Sequence, residues 1–263
     1  MPFKWTLNPY RGCTHGCHYC FARRYQSQLE LDAGDQFASV IFIKTNLVER
    51  LTAELDRPSW TREQIALGTA TDPYQPIEGT CRLTRRSLEA LAHAATPVGL
   101  VTKGPLVLRD RDVLQDLQRR AACRVYLSVP TVDEDAWQRL EPGTAHPMQR
   151  LRAVRALVDA GLDAGVLMAP IVPGISSQPA KLERTIKAIA DSGARSVGAM
   201  VMHLEAGTRA HFMSFLAREY PDLVERYGHL YAGKYAPPAY QARLREVLGM
   251  LKARYGLPVT RRG

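Results

Sequence analysis

Short hydrophobic runs alternate with longer amphipathic segments through most of this chain. A short apolar or β-branched run is typical of a buried strand, and apolar residues at helical spacing are typical of a surface helix. Helical patterns follow most of the runs, and Asn46 is the predicted cap of the first such helix, over residues 46–55. Seven segments have the strand pattern: FKWTL, SVIFIKT, QIAL, VGLVTK, RVYLSV, DAGVLM and SVGAMVM, which begin at residues 3, 39, 64, 98, 124, 163 and 196.

Strands that alternate with helices predict an α/β fold with a parallel sheet and right-handed crossovers. Six or seven such units are too few for a closed eight-stranded barrel, so a partial barrel or an open doubly wound sheet remains. In both architectures the chemistry lies at the carboxyl ends of the strands. We expect residues 1–205 to form this unit and residues 206–263 to form a helical extension packed on it. Within the extension, residues 227–241 are predicted to form a loop that closes over the mouth of the barrel or links two helices.

Composition and charge exclude some classes of protein. Hydrophobic residues make up 46% of the 263 residues, as in a globular enzyme and unlike a disordered chain. The net charge of +9 permits binding to nucleic acid without demanding it. The basic pairs Arg23–Arg24, Arg85–Arg86 and Arg119–Arg120 are scattered, so only the fold decides whether they share a face. No run resembles a signal peptide or a membrane span, and we therefore expect a cytoplasmic protein without a membrane partner.

Three of the five cysteines lie within eight positions, at Cys13, Cys17 and Cys20. An odd cysteine count with this clustering does not suit a set of disulfides and favours reduced thiols bound to a metal or cluster. A structural zinc ion needs four ligands, and His15 or His18 is near enough in sequence to supply the fourth. A 4Fe–4S cluster held by three cysteines instead leaves one iron open to a small molecule.

The spacing of Cys13, Cys17 and Cys20, with Tyr19 before the last, resembles the signature of radical S-adenosylmethionine (SAM) enzymes. The resemblance implies a partial (β/α)6 barrel and a 4Fe–4S cluster whose open iron binds SAM. It also implies reductive cleavage of SAM to a 5′-deoxyadenosyl radical, hydrogen abstraction from a substrate, and a reductant such as flavodoxin or ferredoxin. A wider set of motifs, over roughly residues 5–176, resembles the subfamily related to spore photoproduct lyase, a DNA repair enzyme: NPYRGCTHGCHYCFAR, GTATDPYQPIEG, TKGPLVLRD, SVPTVDEDAWQRLEPGT and APIVPGI.

The same resemblance implies further site residues. The lyases contact SAM through a serine, a lysine and a second serine that follow successive strands, and Thr71, Lys103 and Ser128 stand at the matching positions. Asp72, in the same turn as Thr71, is a candidate for holding that turn or the cofactor. Tyr19, which the lyases also have, is the candidate catalytic residue.

Two positions depart from the lyase pattern. Thr69 replaces the cysteine that donates hydrogen in the lyases, and Phe21 replaces the tyrosine after the last cluster cysteine. A hydroxyl and a phenyl ring are poor hydrogen-atom donors beside a thiol and a phenol. We therefore do not expect this chain to repair spore photoproduct by the lyase route, although Cys81 and Cys123 are candidate substitutes for the missing thiol.

Three functions follow as alternatives. The first is a radical SAM enzyme acting on DNA or a nucleotide, the second is a radical SAM enzyme acting on a peptide or small metabolite, and the third is a zinc-stabilised nucleic-acid binding module. Glu78 is expected near the barrel mouth, where it reads a substrate or the cofactor amine, or else begins a helix. His146, His203, Asp133 and Glu134 are weaker catalytic candidates, for which structural roles are expected.

Overall fold

The computed structural model describes residues 3–258, and its centre is a sheet of six parallel strands. Along the chain, the strands are β1 (Trp5–Leu7), β2 (Tyr10–Arg11), β3 (Phe42–Ile43), β4 (Ile65–Leu67), β5 (Val98–Thr102), β6 (Cys123–Ser128), β7 (Asp163–Ile171) and β8 (Val197–Val201). The main sheet has the order β1-β4-β5-β6-β7-β8. In the described part of the chain β1 and β8 do not pair, so the sheet stays open. The predicted partial barrel is confirmed.

The remaining two strands correct one prediction. The segment at residues 39–45 was expected to be a buried strand of the main sheet. Only Phe42 and Ile43 are in strand conformation, and they pair antiparallel with Arg11 and Tyr10. Both side chains are about 40% exposed. The apolar run was misleading because a short strand outside the sheet can carry apolar residues that face solvent.

Helices follow most of the sheet strands, as the helical patterns predict. Asn46 precedes α2 as expected, but within the described residues its side chain makes no capping hydrogen bond, so that detail was wrong. The helices are α1 (Gln36–Ser39), α2 (Leu47–Leu55), α3 (Glu78–Cys81), α4 (Leu83–His93), α5 (Arg111–Arg120), α6 (Glu134–Leu140), α7 (Pro147–Asp159), α8 (Pro179–Asp191), α9 (Ala206–Glu219), α10 (Val224–Leu230) and α11 (Pro238–Arg254).

None of the helices within residues 3–258 has the length and apolar character needed to span a bilayer.

The molecule has two principal apolar cores. The larger lies between the sheet and its helices, and Leu67, Leu100 and Val125 from neighbouring strands are fully buried there. Each such side chain contributes on the order of 2 kcal/mol through burial alone. The C-terminal helix α11 joins this core through Leu244 and Leu248. It therefore extends the helical layer beyond α8.

The second core lies beside the cysteine-rich loop. Phe212 and Phe215 of α9 and Tyr227 of α10 are buried against Cys17 and Tyr19. The C-terminal helices thus divide their contacts between the two cores. The boundary predicted at residue 205 stays a prediction.

The predicted loop at residues 227–241 is shorter than expected. Helix α10 continues to Leu230 and α11 begins at Pro238, so the connecting segment is residues 231–237. This segment pairs with the chain that follows β8, where Leu204 N donates to Lys234 O at 2.8 Å. The pairing brings the connecting segment to the side of the sheet on which the strands end.

Candidate active site

A cavity of about 230 Å³ opens where the strands of the sheet end. Apolar side chains make up much of its wall, including Val101 and Leu167. Polar and sulfur-bearing side chains enter it from the cysteine-rich loop and from the ends of β4, β5 and β6. The structure brings all eight predicted site residues to its lining: Cys13, Cys17, Tyr19, Cys20, Thr71, Asp72, Lys103 and Ser128.

The cysteine-rich loop, residues 12–20, begins at a glycine that no other residue can replace without strain. Gly12 has φ +80°, and a Cβ atom there would lie 2.4 Å from Val40 O. Directly after it, Cys13 N donates to Phe37 O at 2.9 Å and fixes the start of the loop. Cys13 and Cys17 are buried and Cys20 is partly exposed, yet all three line the cavity.

Arg23 holds the loop from behind. Its guanidinium is buried and donates to Cys17 O at 3.0 Å, Gly16 O at 2.5 Å, and both Ala33 O and Gly34 O at 2.8 Å. These bonds satisfy carbonyl groups that the irregular loop leaves without partners in a helix or strand. Sequence analysis treated this residue only as one of a basic pair, because nothing in the local pattern distinguishes a buried arginine from a solvated one.

Asp72 joins the ends of two strands to the cysteine-rich loop. Its carboxylate accepts from Thr102 Oγ1 at 2.6 Å, Lys103 N at 2.6 Å and Tyr74 N at 2.8 Å, and it lies 3.3 Å from His15 Nδ1. Burial alone would raise the pKa of Asp72, but the His15 charge and these hydrogen bonds outweigh it and lower the pKa to about 2. In the same way Asp72 outweighs the burial of His15 and raises its pKa to about 10. Asp72 and His15 therefore form an ion pair. Because protein groups already occupy the Asp72 carboxylate, this residue is better suited to holding the turn than to binding the cofactor.

Thr71 contacts the same loop through its hydroxyl. It donates to Gly12 O at 2.6 Å and accepts from Gln75 Nε2 at 3.0 Å, while Gln75 Oε1 accepts from Thr14 N at 3.1 Å. Gly68, which ends β4 with φ +87°, allows the tight turn that delivers Thr71 to the cavity. Sequence analysis missed the buried Gln75, because its partner in the cysteine-rich loop, Thr14, lies 61 residues away in the chain.

The far side of the cavity holds a buried charge network. Lys103 Nζ donates to Ser128 Oγ at 2.6 Å and lies 3.5 Å from Glu141 Oε1. Arg150 donates to Glu141 Oε2 at 2.6 Å and to Ser128 O at 2.7 Å. The Tyr19 hydroxyl also donates to Glu141. The quoted motif LEPGT contains Glu141, but sequence analysis singled out neither it nor Arg150.

This network has more positive than negative charge. Burial alone would lower the pKa of Lys103, but Glu141 and Cys17 outweigh it, and the lysine pKa is raised. Burial would raise the pKa of Glu141, but Arg150 and Lys103 outweigh it, and the carboxyl pKa is lowered. Burial and Glu141 raise the pKa of Tyr19. One carboxylate therefore faces two cations and a neutral phenol, and the surplus charge favours an anionic group in the cavity.

Comparison with known proteins identifies the family. The sequence profile of the Radical SAM superfamily matches residues 7–189. An uncharacterized protein of Mycobacterium tuberculosis is 41% identical over 258 residues, which cover 98% of this chain and 76% of the relative. The chain belongs to the radical SAM superfamily. A more distant relative from Pseudomonas phage M6, called a radical SAM Nalpha-GlyT isomerase, is 24% identical over 168 residues, which cover 64% of this chain and 33% of the relative.

Solved structures show the same fold. A spore photoproduct lyase variant with bound AdoMet and dinucleoside spore photoproduct has a TM-score of 0.71 and 15% identity, covering 96% of this chain and 74% of the lyase. The Streptococcus suis protein SuiB, bound to the precursor peptide SuiA, has a TM-score of 0.58 and 11% identity, covering 98% of this chain and 48% of that protein. At these identities the likeness shows a shared fold.

The cofactors of this radical SAM chain are a 4Fe–4S cluster and SAM. The cavity fits both groups. Three soft thiol ligands on one wall suit an iron–sulfur cluster, in which each cysteine binds a different iron. Within residues 3–258 no three His, Cys, Asp or Glu side chains are close enough to share one metal ion, as a zinc site would require. Lys103 and its hydroxyl partner Ser128 suit the carboxylate and ribose oxygens of SAM.

The two histidines proposed as a fourth zinc ligand have other partners. His15 forms the ion pair with Asp72. The ring of His18 stacks on His211 and Phe215, with His18 Nδ1 3.0 Å from His211 Nε2. Each imidazole therefore has its Nδ1 engaged by a residue other than the three cysteines.

The two departures from the lyase pattern lie side by side in the cavity wall. Thr69 and Phe21 both line the cavity, together with Ala22 and Ala70. Thr69 Oγ1 accepts from Asn8 Nδ2 at 3.3 Å. The same four lining residues form the wall of a second, neighbouring cavity.

The candidate substitutes for the missing thiol do not reach the cavity. Cys123 begins β6, pairs with Val98, and is buried at the opposite end of that strand from Ser128. Burial raises its pKa to about 12, so it is an unreactive thiol. Cys81 ends α3 and does not line the cavity either. The idea that one of them replaces the lyase donor is wrong.

Glu78 has a structural role away from the cavity mouth. Its side chain is fully buried and accepts from Tyr10 Oη at 2.5 Å, Arg109 Nη2 at 2.7 Å and Thr84 N at 3.0 Å. It does not line the cavity, so the expectation that it reads a substrate or the cofactor amine is wrong.

Of the four weaker catalytic candidates, three have structural partners and one lines the cavity. Asp133 caps α6 and pairs with Lys181, and His146 caps α7 and pairs with Glu134, as expected of structural residues. Only His203, which follows β8, lines the cavity.

Proposed function

We propose that the chain reductively cleaves SAM at a 4Fe–4S cluster held by Cys13, Cys17 and Cys20, and that it acts on a nucleic acid or nucleotide. The observation that carries the proposal is that three thiols and the Lys103 ammonium share one cavity, whose lining also contains the rings of Phe21 and His203. When bound and reduced, the cluster and SAM supply a 5′-deoxyadenosyl radical that abstracts hydrogen from the substrate. A one-electron reductant such as flavodoxin or ferredoxin is part of the proposal.

The chain's own residues orient and protect this chemistry. Arg23 holds the carbonyl groups of the cysteine-rich loop so that its thiols face the cavity. Lys103 and Ser128 bind the polar groups of SAM, with Thr71 on the opposite wall. The apolar lining, including Leu167, excludes water from a reactive radical.

The aromatic strip consists, in spatial order, of Tyr25, Phe21, His203 and Tyr235, of which Phe21 and His203 line the cavity. Neighbouring ring centroids are 6.3, 5.9 and 5.9 Å apart along this series. Tyr235 is 59% exposed and therefore available to a ligand. Aromatic rings of this kind stack on nucleobases, which contributes about 1–3 kcal/mol per base in single-strand binding proteins.

Cations flank the aromatic strip. Arg24 lies 4.8 Å from the ring centroid of Tyr25, and Lys234 lies 5.2 Å from that of Tyr235. Both cations pair with the single carboxylate of Glu205, so this edge has a net positive charge. A positively charged surface of this kind favours binding of a nucleic-acid phosphate backbone. The dinucleoside bound to the structurally similar lyase is consistent with a substrate of this class.

Tyr19 is the proposed hydrogen donor in place of the missing lyase cysteine. Among the described residues that line the cavity it is the only phenol, and its hydroxyl is directed by Glu141. In this step the phenol O–H bond breaks and a C–H bond forms on the substrate radical. The phenoxyl would then return to the phenol by taking one electron from the proposed reductant and one proton.

Anaerobic turnover tests the proposal. The reconstituted protein is given SAM and dithionite, and 5′-deoxyadenosine is measured with no substrate, with single-stranded DNA and with a random peptide mixture. We expect DNA to raise the rate and deuterium to move from labelled DNA into 5′-deoxyadenosine. Cys17→Ala should abolish the reaction, and Cys81→Ala, a cysteine outside the cavity, should leave it intact. Acceleration by peptide alone would favour the peptide alternative and overturn the nucleic-acid proposal.

A further inference from the structure

A second cavity of about 260 Å³ adjoins the one that holds the cysteines. The wall between them is formed by Phe21, Ala22, Thr69 and Ala70, which line both. Thr69 and Phe21 are the two positions at which the chain departs from the lyase pattern. A ligand that extends past them would occupy both cavities.

The second cavity contains two cations and no acid. Arg11 and Lys44 line it, and none of its other lining residues within the described chain is Asp or Glu. Elsewhere in the described chain many basic residues are paired with carboxylates, as Arg119 and Arg120 are with Asp116. No carboxylate among residues 3–258 pairs with Lys44. Partial burial and the Arg11 charge lower the pKa of Lys44, as expected for two cations that lack an anion.

The antiparallel pair of β2 and β3 brings Arg11 and Lys44 to the same cavity. Arg11 ends β2, and Lys44 directly follows β3, where its backbone N donates to Pro9 O at 3.2 Å. The Arg11 guanidinium is held in place because its Nη2 donates to Tyr25 O and to Gln28 Oε1, both at 2.6 Å. The Lys44 residue is exposed as a whole, its ammonium is partly buried, and no carboxylate among residues 3–258 holds it.

We propose that the second cavity is a phosphate subsite, in which Arg11 and Lys44 bind a phosphate group of the substrate while its base or sugar reaches the cluster cavity past Thr69 and Phe21. The inference rests on the proposed function, because the phosphate that it places in the second cavity belongs to the proposed nucleic-acid or nucleotide substrate. A guanidinium that is already oriented and an ammonium that no described carboxylate holds suit the several oxygens of a phosphate. Tyr25, which belongs to the aromatic strip, also lines this cavity and places a base-stacking surface beside it.

Binding of charged and neutral probes tests the subsite without requiring turnover. Fluorescence anisotropy measures the affinity of the reconstituted protein with SAM for a dT4 oligonucleotide, for its uncharged methylphosphonate analogue and, by competition, for thymidine 5′-monophosphate. We expect Lys44→Gln to weaken dT4 binding about five- to tenfold, the effect of losing one charged contact. The salt slope should fall by about 0.7. Affinity for the methylphosphonate analogue should not change, and Lys44→Arg should restore binding.

Arg245→Gln is the matched control, because Arg245 is exposed on α11, which packs beside α8, and its loss changes the net charge equally. If thymidine 5′-monophosphate also loses affinity in Lys44→Gln, the subsite binds the phosphate of a free nucleotide as well as a phosphodiester. Equal weakening by the Lys44 and Arg245 variants would overturn the subsite, and so would the absence of dT4 binding by wild type. Deuterium transfer from labelled DNA into 5′-deoxyadenosine separates this failure from that of the proposed function. Transfer that persists when the Lys44 and Arg245 variants weaken binding equally would leave the proposed function standing and remove only the subsite.

Discussion

Two buried carboxylates in this molecule, Glu78 and Glu141, are surrounded by the same kinds of side chain but lie in different places. Glu78 accepts from the Tyr10 phenol at 2.5 Å and pairs with Arg109 at 2.7 Å. Arg109 also pairs with Asp110 at 2.8 Å, so this group has no surplus positive charge. It lies outside the cavity and holds helices α3 and α4 against the sheet.

The second group repeats this chemistry at the cavity. Glu141 accepts from the Tyr19 phenol and pairs with Arg150 at 2.6 Å. Unlike the Glu78 group, it has a second cation beside its carboxylate. Lys103, at the end of β5, places its Nζ 3.5 Å from Glu141 Oε1. The comparison teaches that a buried Tyr, Glu and Arg together do not make a site. The added ammonium, which faces the three thiols across the cavity, makes the second group suitable for an anionic ligand.

The largest expected effect comes from removing that ammonium. We expect Lys103→Met to weaken SAM binding to the reconstituted protein on the order of a hundredfold, because a buried charged contact is lost. Arg109→Met removes the cation that pairs with Glu78 outside the cavity and should leave SAM affinity unchanged. Equilibrium dialysis with labelled SAM measures both. Equal losses of affinity in the two variants would show that the effect is one of general destabilisation.

An intermediate effect is expected from the carboxylates themselves. Glu141→Gln leaves the buried Arg150 without its ion pair and should cost about 3 kcal/mol of unfolding free energy. Glu78→Gln should cost less, because Arg109 keeps its ion pair with Asp110. Only Glu141→Gln should also slow 5′-deoxyadenosine formation, by about tenfold per folded molecule, because Lys103 and Tyr19 lose their orientation. Urea unfolding and anaerobic turnover separate the two effects. If Glu78→Gln slows turnover equally, the distinction between the two groups fails.

The smallest effect is expected from the phenols. Tyr19→Phe and Tyr10→Phe each remove one hydrogen bond to a carboxylate and should each lower the unfolding free energy by about 1.5 kcal/mol. Tyr19→Phe should in addition lower the yield of product per SAM cleaved, since the proposed hydrogen donor is lost. A product yield that is unchanged in Tyr19→Phe would remove Tyr19 from the catalytic residues.

The parts of the molecule that sequence predicted are those governed by local pattern. The six sheet strands have short apolar runs, and the cysteine-rich loop has a fixed spacing, so both were recognised without tertiary information. The strand predicted at residues 39–45 was wrong because an apolar run does not reveal which face is buried. Arg23, Glu141 and Lys44 were missed because their roles depend on contacts that only the folded chain creates.

The most direct test of the central claim, that the three thiols hold a cluster to which SAM binds, is electron paramagnetic resonance of the reduced protein with and without SAM. Iron and sulfide are measured on the same samples of wild type, Cys17→Ala and Cys81→Ala. We expect about four irons and four sulfides per chain in wild type and Cys81→Ala. Their cluster signal should shift when SAM is added, and Cys17→Ala should lose the signal. Zinc without sulfide in wild type, or equal loss of the cluster in both cysteine variants, would contradict the claim.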